Sequence, residues 1–343
     1  MILNYVREEP AAGNHAGNKA RRDVDKIFER RGYVAVENII ETRFNSTLEK
    51  IKYTFNRETW KKIFRLRRLV RLNAVAQFPV YGNKLMRAAL NNFFGRNHMI
   101  FIVHDLDALR HFGTASTADE IKRLNRARAL IVHNERMMGA LFGLGVRTPM
   151  IPLELFDYLL DNPPPPRLLD NRNKIIFAGN LNKSIFLRLL EPIRAEFNLY
   201  GPIADSKIFG ANINYVGSFA PDEIPYKLDG GFGLIWDGDS VETCTGAFGR
   251  YLTLNNPHKL SLYIAAGLPV VTWKEAAIAD FIIKNDIGFV VDSLRELPSK
   301  LQSITDARYQ QLLDNVARLQ SKVIEGFYTN RALEQAERML RRE

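Results

Sequence analysis

Residues 255–271, NNPHKLSLYIAAGLPVV, form the segment whose residue types most clearly indicate chemistry. Asn256 followed by Pro257 is typical of a helix start, because Asn caps helices and Pro favours the first helical position. Gly267 marks the helix end, and Lys259 lies in the first turn. Unpaired N–H groups at a helix start, together with a lysine charge, favour diphosphate binding. The alternative is a packing helix whose lysine faces solvent.

A turn at residues 179–184, GNLNKS, is the second candidate for diphosphate binding. It follows a predicted strand at 174–178 and opens a predicted helix at 184–197. Glycine lets the backbone approach a ligand closely, and Lys183 can neutralise a phosphate. The alternative is an ordinary turn between a strand and a helix. The candidate donor-binding residues of the two segments are Gly179, Asn180, Lys183, Asn256, Lys259 and Ser261.

Two further candidate donor-binding residues follow predicted strands in the second half of the chain. The ring of Tyr215 can stack on a nucleobase, or it can be a half-buried core tyrosine. The carboxylate of Asp237 can hydrogen-bond sugar hydroxyls, although aspartate beside glycine is also normal turn chemistry. Ligands of parallel sheets bind beyond the carboxyl ends of the strands, where both residues are expected.

His104 and Asp105 follow a predicted strand at 99–103 and are the candidate catalytic residues. Either side chain can accept the proton of an acceptor hydroxyl. The alternative for His104 is capping, or packing under a loop. His133 is interpreted as structural, because Asn134 already explains that turn as the cap of the next helix.

A basic amphipathic helix is predicted from Arg57 to Arg71. It holds seven Lys or Arg residues and one Glu. This composition is typical of helices at an anionic membrane surface. The alternative is a surface helix that packs its apolar side on a sheet. The interleaved apolar residues are Trp60, Ile63, Phe64, Leu66, Leu69 and Val70.

Composition limits the class of protein. The 343 residues suffice for about two domains. A hydrophobic share of 46% and a charged share of 25% exclude disordered and fibrous chains. The single Cys244 excludes an internal disulfide and favours a reducing compartment. No apolar stretch approaches the roughly 18–20 residues of a membrane span, and no secretion signal is evident, so we expect a cytoplasmic protein. The net charge of +10 attracts anions without identifying them.

Strands and helices alternate along both halves of the chain, which predicts an α/β fold with two doubly wound parallel sheets. Four prolines at 163–166 mark the domain boundary, because they favour a stiff spacer. The predicted domains are 1–160 and 167–318. The predicted strands are 2–6, 33–36, 99–103, 129–132, 174–178, 198–200, 213–216, 232–236, 268–273 and 288–291. The predicted helices include 19–31, 184–197, 257–266 and 307–342, the last with a break near Gly326.

Several segments resemble GT-B glycosyltransferases, and more narrowly the bacterial group of adhesin-modifying glucosyltransferases and β-1,6-galactofuranosyltransferases. The resemblance covers residues 1–330. It implies two Rossmann-like domains facing across a cleft, the first on the acceptor side and the second binding the nucleotide sugar. Residues 319–343 would form a helix packing back on the first domain. The loop after the first strand, with Gly17, Asn18 and Lys19, would face the donor sugar and the acceptor. The matching segments are HDLDALR (104–110), IVHNERM (131–137), YVG (215–217), WDGDS (236–240) and the helix pattern Pro257, Lys259, Tyr263, Ala265, Gly267, Pro269 and Val270.

The resemblance also implies the activity. It is the transfer of a hexose, of the glucose or galactose/galactofuranose type, from a UDP-sugar to a saccharide on a glycoprotein or lipid-linked glycan. The UDP-sugar is a co-substrate and no cofactor or metal is expected, although Asp105-Leu106-Asp107 is similar to the metal motif of GT-A enzymes. One residue departs from the pattern. Many GT-B enzymes bind the donor ribose with a glutamate where this chain has Leu262.

Two other functions remain open. A GT-B sugar-nucleotide epimerase would need paired carboxylates deep in the cleft. A non-enzymatic protein would bind a membrane or nucleic acid through Arg57 to Arg71, but further basic clusters with interleaved aromatics are lacking, so we expect no nucleic-acid partner. For the enzyme we expect a nucleotide-sugar donor, a glycan acceptor and peripheral contact with the inner face of the membrane through this helix. A homo-oligomer is compatible with the resemblance.

Overall fold

The computed structural model describes residues 3–7, 16–36, 46–80, 84–110, 115–167, 172–205 and 210–341. The chain divides into two compact units. Unit 1 contains the first strand, the described residues from Val24 to Leu153 and those from Thr329 onward. Unit 2 contains Glu154–Tyr328 and the start of the first helix up to Asp23. Ile2 and Arg342, which belong to a predicted strand and a predicted helix, lie outside the described residues.

Unit 1 is built on a six-stranded parallel sheet in the order β2-β1-β3-β4-β5-β6. Every residue of the apolar run Met99–Val103 in β4 is fully buried, as expected of a parallel strand covered on both faces. The strands are β1 (Asn4–Val6), β2 (Val34–Val36), β3 (Asn73–Phe78), β4 (His98–Val103), β5 (Ala129–Val132) and β6 (Met150–Pro152). The helices are α1 (Ala16–Arg30), α2 (Thr47–Phe55), α3 (Arg57–Arg68), α4 (Lys84–Arg96), α5 (Asp107–Arg110), α6 (Ala115–Leu124) and α7 (Glu135–Gly143).

Unit 2 has a second six-stranded parallel sheet, in the order β12-β11-β10-β7-β8-β9. The two sheets confirm the predicted doubly wound α/β architecture. The strands are β7 (Lys174–Ala178), β8 (Glu196–Tyr200), β9 (Ile213–Gly217), β10 (Phe232–Ile235), β11 (Val270–Trp273) and β12 (Gly288–Val291). The helices are α8 (Ile224–Lys227), α9 (Gly246–Tyr251), α10 (His258–Ala265), α11 (Ala279–Asn285), α12 (Leu297–Ser303) and α13 (Asp306–Glu325). The last helix of the chain, α14 (Phe327–Arg341), has most of its residues in unit 1.

Several local predictions are confirmed by hydrogen bonds and helix ends. Asn134 caps α7, because its Oδ1 accepts a hydrogen bond from the backbone N–H of Met137 at 2.9 Å. The break in the C-terminal helical region falls at Gly326, between α13 and α14. Apolar runs were therefore good predictors of buried strands and their ends. The strands predicted at 129–132, 174–178 and 288–291 match the structure residue for residue.

The helix predicted at 184–197 is wrong. Only a short 3₁₀ helix, Ile185–Leu189, forms there, and residues from Glu196 onward belong to β8. Pro192 explains the difference, because proline in a helix interior removes a hydrogen bond and clashes with the preceding turn. Strand β3 was not predicted, because the polar residues Asn73 and Gln77 interrupt its apolar pattern.

Helix α10 is fixed to the unit 2 sheet by the hydroxyl of Tyr263, a fully buried residue. This oxygen accepts a hydrogen bond from the N–H of Ala178 at 2.9 Å and lies 3.2 Å from the carbonyl oxygen of Leu234. It also lies 3.4 Å from the carbonyl oxygen of Ile176. One side chain therefore bonds α10 to both β7 and β10, next to the carboxyl end of β7.

We expect Tyr263→Phe to lower the free energy of unfolding by about 1–3 kcal/mol, because the N–H of Ala178 would be left buried without its partner. Urea denaturation measures this change. The matched control is Tyr226→Phe, since Tyr226 is exposed and its hydroxyl bonds only a surface carbonyl. Equal stability losses in the two variants would contradict a special role of the Tyr263 hydroxyl.

Candidate active site

A cavity of about 310 Å³ opens at the carboxyl end of the unit 2 sheet. Residues that follow β7, β8 and β9 line it, which is where parallel α/β sheets bind ligands. Its volume lies at the lower end of the range for small-molecule sites. Of the predicted donor-binding residues, Gly179, Asn180 and Lys259 line this cavity.

Two glycines bring the ends of β7 and β8 together at the cavity. Gly201 has a φ of +136°, and a Cβ atom there would lie 1.8 Å from the carbonyl oxygen of Gly179. Only glycine fits this position. The N–H of Gly179 donates to the carbonyl oxygen of Tyr200 at 2.9 Å. The turn after β7 is therefore held against β8, with its backbone close to the cavity.

The side chain of Lys259 packs against Gly179, in the space next to the position where a Cβ atom of residue 179 would lie. A Cβ atom at Gly179 would be 3.1 Å from Cε of Lys259. The ammonium group lies 3.1 Å from Oδ2 of Asp237 and 4.8 Å from the ring centre of Phe177. The side chain of Lys259 is only 16% exposed. A half-buried cation therefore stands at the cavity, balanced by one carboxylate from the end of β10.

Asn256 does not cap α10, which corrects the sequence-based expectation. The N-cap residue is Pro257, and no side chain caps this helix end. The side-chain amide of Asn256 is buried and donates to the carbonyl oxygen of Glu154 at 2.8 Å. A tertiary hydrogen bond thus replaces the local one. The consequence is that side chains leave the first N–H groups of α10 uncapped.

Three other predicted donor-binding residues do not line the cavity. Ser261 is fully buried in α10, and its hydroxyl donates to the carbonyl oxygen of Phe156 at 2.7 Å. Tyr215 donates to the carbonyl oxygen of Gly201 at 3.2 Å. Lys183 is exposed, with its ammonium group 5.9 Å from the ring centre of Phe248. Their observed contacts are therefore with the protein around the cavity.

Aromatic residues that the sequence analysis did not select line the cavity. The rings of Tyr158 and His258 stack with centres 5.1 Å apart and planes inclined by 26°. The Tyr158 hydroxyl donates to the carbonyl oxygen of Pro221. The rings of Tyr200 and Phe219 lie 6.3 Å apart. Tyr200 and Phe219 stand at or just beyond the ends of predicted strands, and this position could have identified them, whereas Tyr158 lies outside every predicted element.

His258 is a neutral imidazole at the start of α10. Its Nε2 faces the carbonyl oxygen of Asp157 at 3.3 Å, so Nε2 carries the hydrogen and Nδ1 the lone pair. Burial lowers the pKa of His258 to about 4. Nδ1 is buried and has no hydrogen-bond partner among the described residues. His258 therefore adds no positive charge at neutral pH and leaves Lys259 as the cation of this helix start.

Gly17, Asn18 and Lys19 lie in the first turns of α1, because this helix begins at Ala16 rather than at Lys19 as predicted. The loop that was expected to contain these residues is therefore wrong. The ammonium group of Lys19 is buried and forms ion pairs with Asp23 at 2.7 Å and Asp222 at 2.9 Å. Two carboxylates satisfy the desolvated cation, and i, i+4 spacing to Asp23 requires a helix. This long-range pairing explains why a loop was the wrong expectation.

The Lys19 ion pairs fix the backbone next to Tyr158. Lys19 donates to the carbonyl oxygen of Leu159 at 2.7 Å, and Asp23 accepts from the N–H of Leu159 at 2.9 Å. The ammonium group lies 4.9 Å from the ring centre of Tyr158. The start of α1 thus positions one wall of the cavity, and the Lys19 charge is already neutralised by the protein.

In unit 1, His104 follows β4 as predicted and belongs to a hydrogen-bonded chain. Its Nε2 lies 2.6 Å from Oε1 of Gln77, whose Nε2 donates to Oδ1 of Asp25 at 2.8 Å. Because Gln77 presents its oxygen, Nε2 of His104 donates and Nδ1 keeps the lone pair. The chain therefore fixes the ring orientation and tautomer that a general base needs.

Asp105 is engaged within its own loop. One carboxylate oxygen lies 2.5 Å from the guanidinium of Arg110, and the other accepts from the N–H of Leu106 at 3.1 Å. Both oxygens thus have partners.

The described ranges hold neither a cluster of metal-ligating side chains nor a helix that could span a membrane. No group of three or more His, Cys, Asp or Glu side chains there could hold a metal ion. No helix in the same ranges has the length and apolar character to cross a membrane.

Comparison with known proteins identifies the family and supports the fold. Residues 4–155 match the family model "Glucosyltransferase 3-like, N-terminal domain", and residues 175–336 match its C-terminal domain. The chain is 38% identical over 239 residues to the β-1,6-galactofuranosyltransferase WbbI of Escherichia coli K12, covering 68% of this chain and 69% of that protein. It is 28% identical to glucosyltransferase 3 of Streptococcus gordonii over 68% of this chain and 69% of that protein. A crystal structure of Anabaena HepE with UDP and glucose superposes with a TM-score of 0.61 at 12% identity, covering 99% of both chains.

The two parallel sheets and these matches define the class: this protein is a GT-B glycosyltransferase. The chain belongs to the glucosyltransferase 3-like family.

His133 gives a prediction about pH and stability. It is 2% exposed, and burial lowers its pKa to about 4, although it bonds the backbone of Val103 and His104. An unfolded histidine has a pKa of about 6.5. As the pH falls from about 6.5 to about 4, the unfolded chain binds a proton that the folded chain does not, so stability is full above this window and lost within it.

We expect the wild-type free energy of unfolding to fall by about 2 kcal/mol more between pH 7 and pH 5 than that of His133→Gln. Urea denaturation of both proteins at both pH values measures the difference. The comparison cancels the pH-independent effect of the substitution itself. Parallel losses in the two proteins would show that His133 does not titrate in this way.

Proposed function

We propose that this glycosyltransferase transfers a hexose from a UDP-sugar held in the unit 2 cavity to a saccharide acceptor. The observation that carries the proposal is the position of Lys259 and Gly179 at one end of a cavity with aromatic walls. A nucleobase favours aromatic and apolar contacts, whereas a diphosphate favours a cation and free backbone N–H groups. The cavity provides both kinds of surface.

The diphosphate would take the place that Asp237 now holds on Lys259. The ammonium group is held at 3.1 Å by a single carboxylate, so a more highly charged phosphate can compete for it. The uncapped N–H groups at the start of α10 add donors and a partial positive charge. Lys183, exposed at the end of the Gly179 turn, supplies a second cation near the phosphates.

The same groups would stabilise the departing UDP. Negative charge builds on the β-phosphate as the bond to the sugar breaks, and fixed donors aimed at that charge lower the barrier. Lys259 is positioned by Asp237 and by the ring of Phe177 before the donor binds. In this proposal the protein supplies the positive charge and the reaction is metal-independent.

The nucleoside would be recognised without a carboxylate. Leu262 lines the cavity where many GT-B enzymes have a glutamate, and no Asp or Glu is among the described residues that line it. Uracil would lie against the aromatic residues Tyr158, Tyr200 and Phe219. The ribose would be held by the amide of Asn180, the hydroxyl of Ser218 or the backbone next to them.

The acceptor hydroxyl would lose its proton to His104. The chain from Asp25 through Gln77 orients this imidazole and stabilises it when it becomes protonated. Asp105 would instead hold the loop through Arg110. The acceptor is proposed to be a saccharide on a glycoprotein or a lipid-linked glycan, and the transferred sugar a glucose or a galactose, including galactofuranose. This agrees with the names of the similar proteins from E. coli and S. gordonii.

The lining of the cavity argues against the epimerase alternative. An epimerase needs an acid and a base at the reacting carbon, and paired carboxylates were expected for this role. The lining residues that the structure describes carry none. A transferase therefore fits this site better than an epimerase does.

We propose a cytoplasmic enzyme that touches the inner face of the membrane through Arg57 to Arg71. In the structure α3 buries Thr59, Ile63 and Leu66 and leaves Trp60 and Phe64 exposed. The helix therefore packs on unit 1 with one face and presents cations and aromatic rings on the other. Such a face suits an anionic lipid surface.

Lys259→Ala should abolish transfer and raise the dissociation constant for UDP by about tenfold to a hundredfold. This range corresponds to the loss of one hydrogen bond to a charged group, about 1.5–3 kcal/mol. Titration calorimetry with UDP measures the affinity. Lys284→Ala is the matched control, because Lys284 is an exposed lysine at the end of α11. Unchanged UDP affinity in a folded Lys259→Ala protein would remove Lys259 from the donor site.

His104→Ala should lower kcat by about 10²–10⁴ while leaving UDP affinity unchanged, as expected for loss of a general base. Asp105→Asn is the control for the neighbouring candidate and should lower kcat much less. Steady-state kinetics with saturating donor, together with calorimetry, separates the two effects. A larger kcat loss for Asp105→Asn than for His104→Ala would reverse the assignment.

A further inference from the structure

We infer that a groove in unit 1 binds the phosphate groups of anionic lipid headgroups. The inference rests on the proposed membrane contact of α3 and assigns it a specific site. The groove lies at the amino ends of β3, β4 and β5, the end opposite His104, and encloses about 910 Å³. We call it the arginine groove after its cationic lining residues, Arg71, Arg96, Arg126 and Arg128.

The described residues that line the arginine groove carry several positive charges. All four arginines are exposed, and no Asp or Glu is among the described residues that line the groove. The side chains of Arg71 and Arg126 have neither a hydrogen bond nor an ion pair within the described part of the chain. Guanidinium groups bind phosphate oxygens in a bidentate geometry. Free guanidinium groups that converge on one groove therefore suit a phosphate-bearing ligand.

The floor of the groove is fixed before any ligand binds. The buried side chain of Asn97 accepts from the N–H of Leu72 at 2.8 Å and donates to the carbonyl oxygens of Leu69 and Phe93. The backbone N–H of Arg71 donates to the carbonyl oxygen of Arg96 at 2.9 Å.

Two of the groove's cationic side chains are also held in place. Nε of Arg128 donates to Nδ1 of His98 at 3.2 Å. A guanidinium nitrogen of Arg96 donates to the carbonyl oxygen of Arg67 at 2.9 Å, which ties the rim to the end of α3. The arginines thus project from a rigid base.

Exposed apolar side chains lie on α3, the helix whose end bonds Arg96, and on α2, which precedes it. On α3, the rings of Trp60 and Phe64 lie 6.1 Å apart, and Phe64 is 54% exposed. On α2, Leu48, Ile51 and Phe55 follow helical spacing on one face and are 63%, 52% and 78% exposed. We call these five residues the apolar ridge. Exposed apolar patches of this kind mark interaction surfaces.

The combination of ridge and groove identifies the ligand as a lipid surface. Apolar side chains beside a cluster of cations match the boundary between acyl chains and anionic headgroups. A nucleic acid would use the arginines and could stack on Trp60, but it offers nothing to the aliphatic residues Leu48 and Ile51. The phosphates of headgroups would enter the groove while the ridge reaches the acyl region.

Vesicle co-sedimentation of the full chain tests the inference, with equimolar phosphatidylglycerol and phosphatidylcholine against phosphatidylcholine alone. Arg126→Gln combined with Arg128→Gln should weaken binding to the anionic vesicles by about fivefold per arginine, the equivalent of about 1 kcal/mol each. Phe55→Gln combined with Phe64→Gln should also weaken it. Arg30→Gln combined with Arg338→Gln is the matched control, because both are exposed arginines of unit 1 outside the groove.

The inference is supported if the groove and ridge variants lose binding to anionic vesicles while the control variant keeps it. An equal loss of vesicle binding in the control would show that net charge alone explains the effect. That result would contradict a specific binding site in the arginine groove. Binding of a single-stranded oligonucleotide, but not of anionic vesicles, that is lost in the groove variant would assign the groove to nucleic acid instead. UDP affinity measured on the same variants should stay unchanged, so failure of the membrane site remains distinct from failure of the donor site.

Discussion

The candidate donor site depends on the close contact between Lys259 and the backbone of Gly179. That contact exists because three constraints meet there: Gly201 presses against the Gly179 carbonyl, Tyr263 fixes α10 to β7, and Asp237 holds the ammonium group. A larger residue at Gly179 would have to displace the lysine. The cation of the site is therefore part of the packing between one helix and one sheet, and the sheet sets its position.

The opposite wall of the cavity is organised by a different cation. Lys19 is buried among Asp23, Asp222 and the Leu159 carbonyl, so its charge is used within the protein. Lys19 affects the shape of the cavity through Tyr158. The Lys19 ammonium group faces the ring of Tyr158, and this ring stacks on His258. A buried ion pair of this kind costs desolvation and contributes little net stability, but it fixes geometry. Lys259 is held by the single carboxylate of Asp237 at the cavity, whereas Lys19 shapes the wall of that cavity.

Local sequence patterns predicted the elements of this fold better than the contacts of its site. Runs such as 129–132 predicted strands because burial on both faces demands continuous apolar residues. The α10 segment correctly predicted that Lys259 lies in the first turn of a helix, since this position depends only on the helix that carries it. The contacts of Asn256 and Lys19 were not predicted, because each side chain binds a partner distant in sequence, the Glu154 carbonyl and Asp222. Tyr158 carried no local signal at all, because only the tertiary fold brings it to the cavity.

The two ends of the parallel sheet of unit 1 carry different side chains. His104, with its hydrogen-bonded chain to Asp25, lies at the carboxyl end of β4, and His98 of the arginine groove lies at its amino end. A strand of this length spans about 20 Å, which is about twice the Debye length at physiological salt. Charges in the groove therefore act only weakly on the proton that His104 would accept. The proposed surface attachment and the proposed proton transfer would then be independent of each other, because the length of β4 separates the two ends.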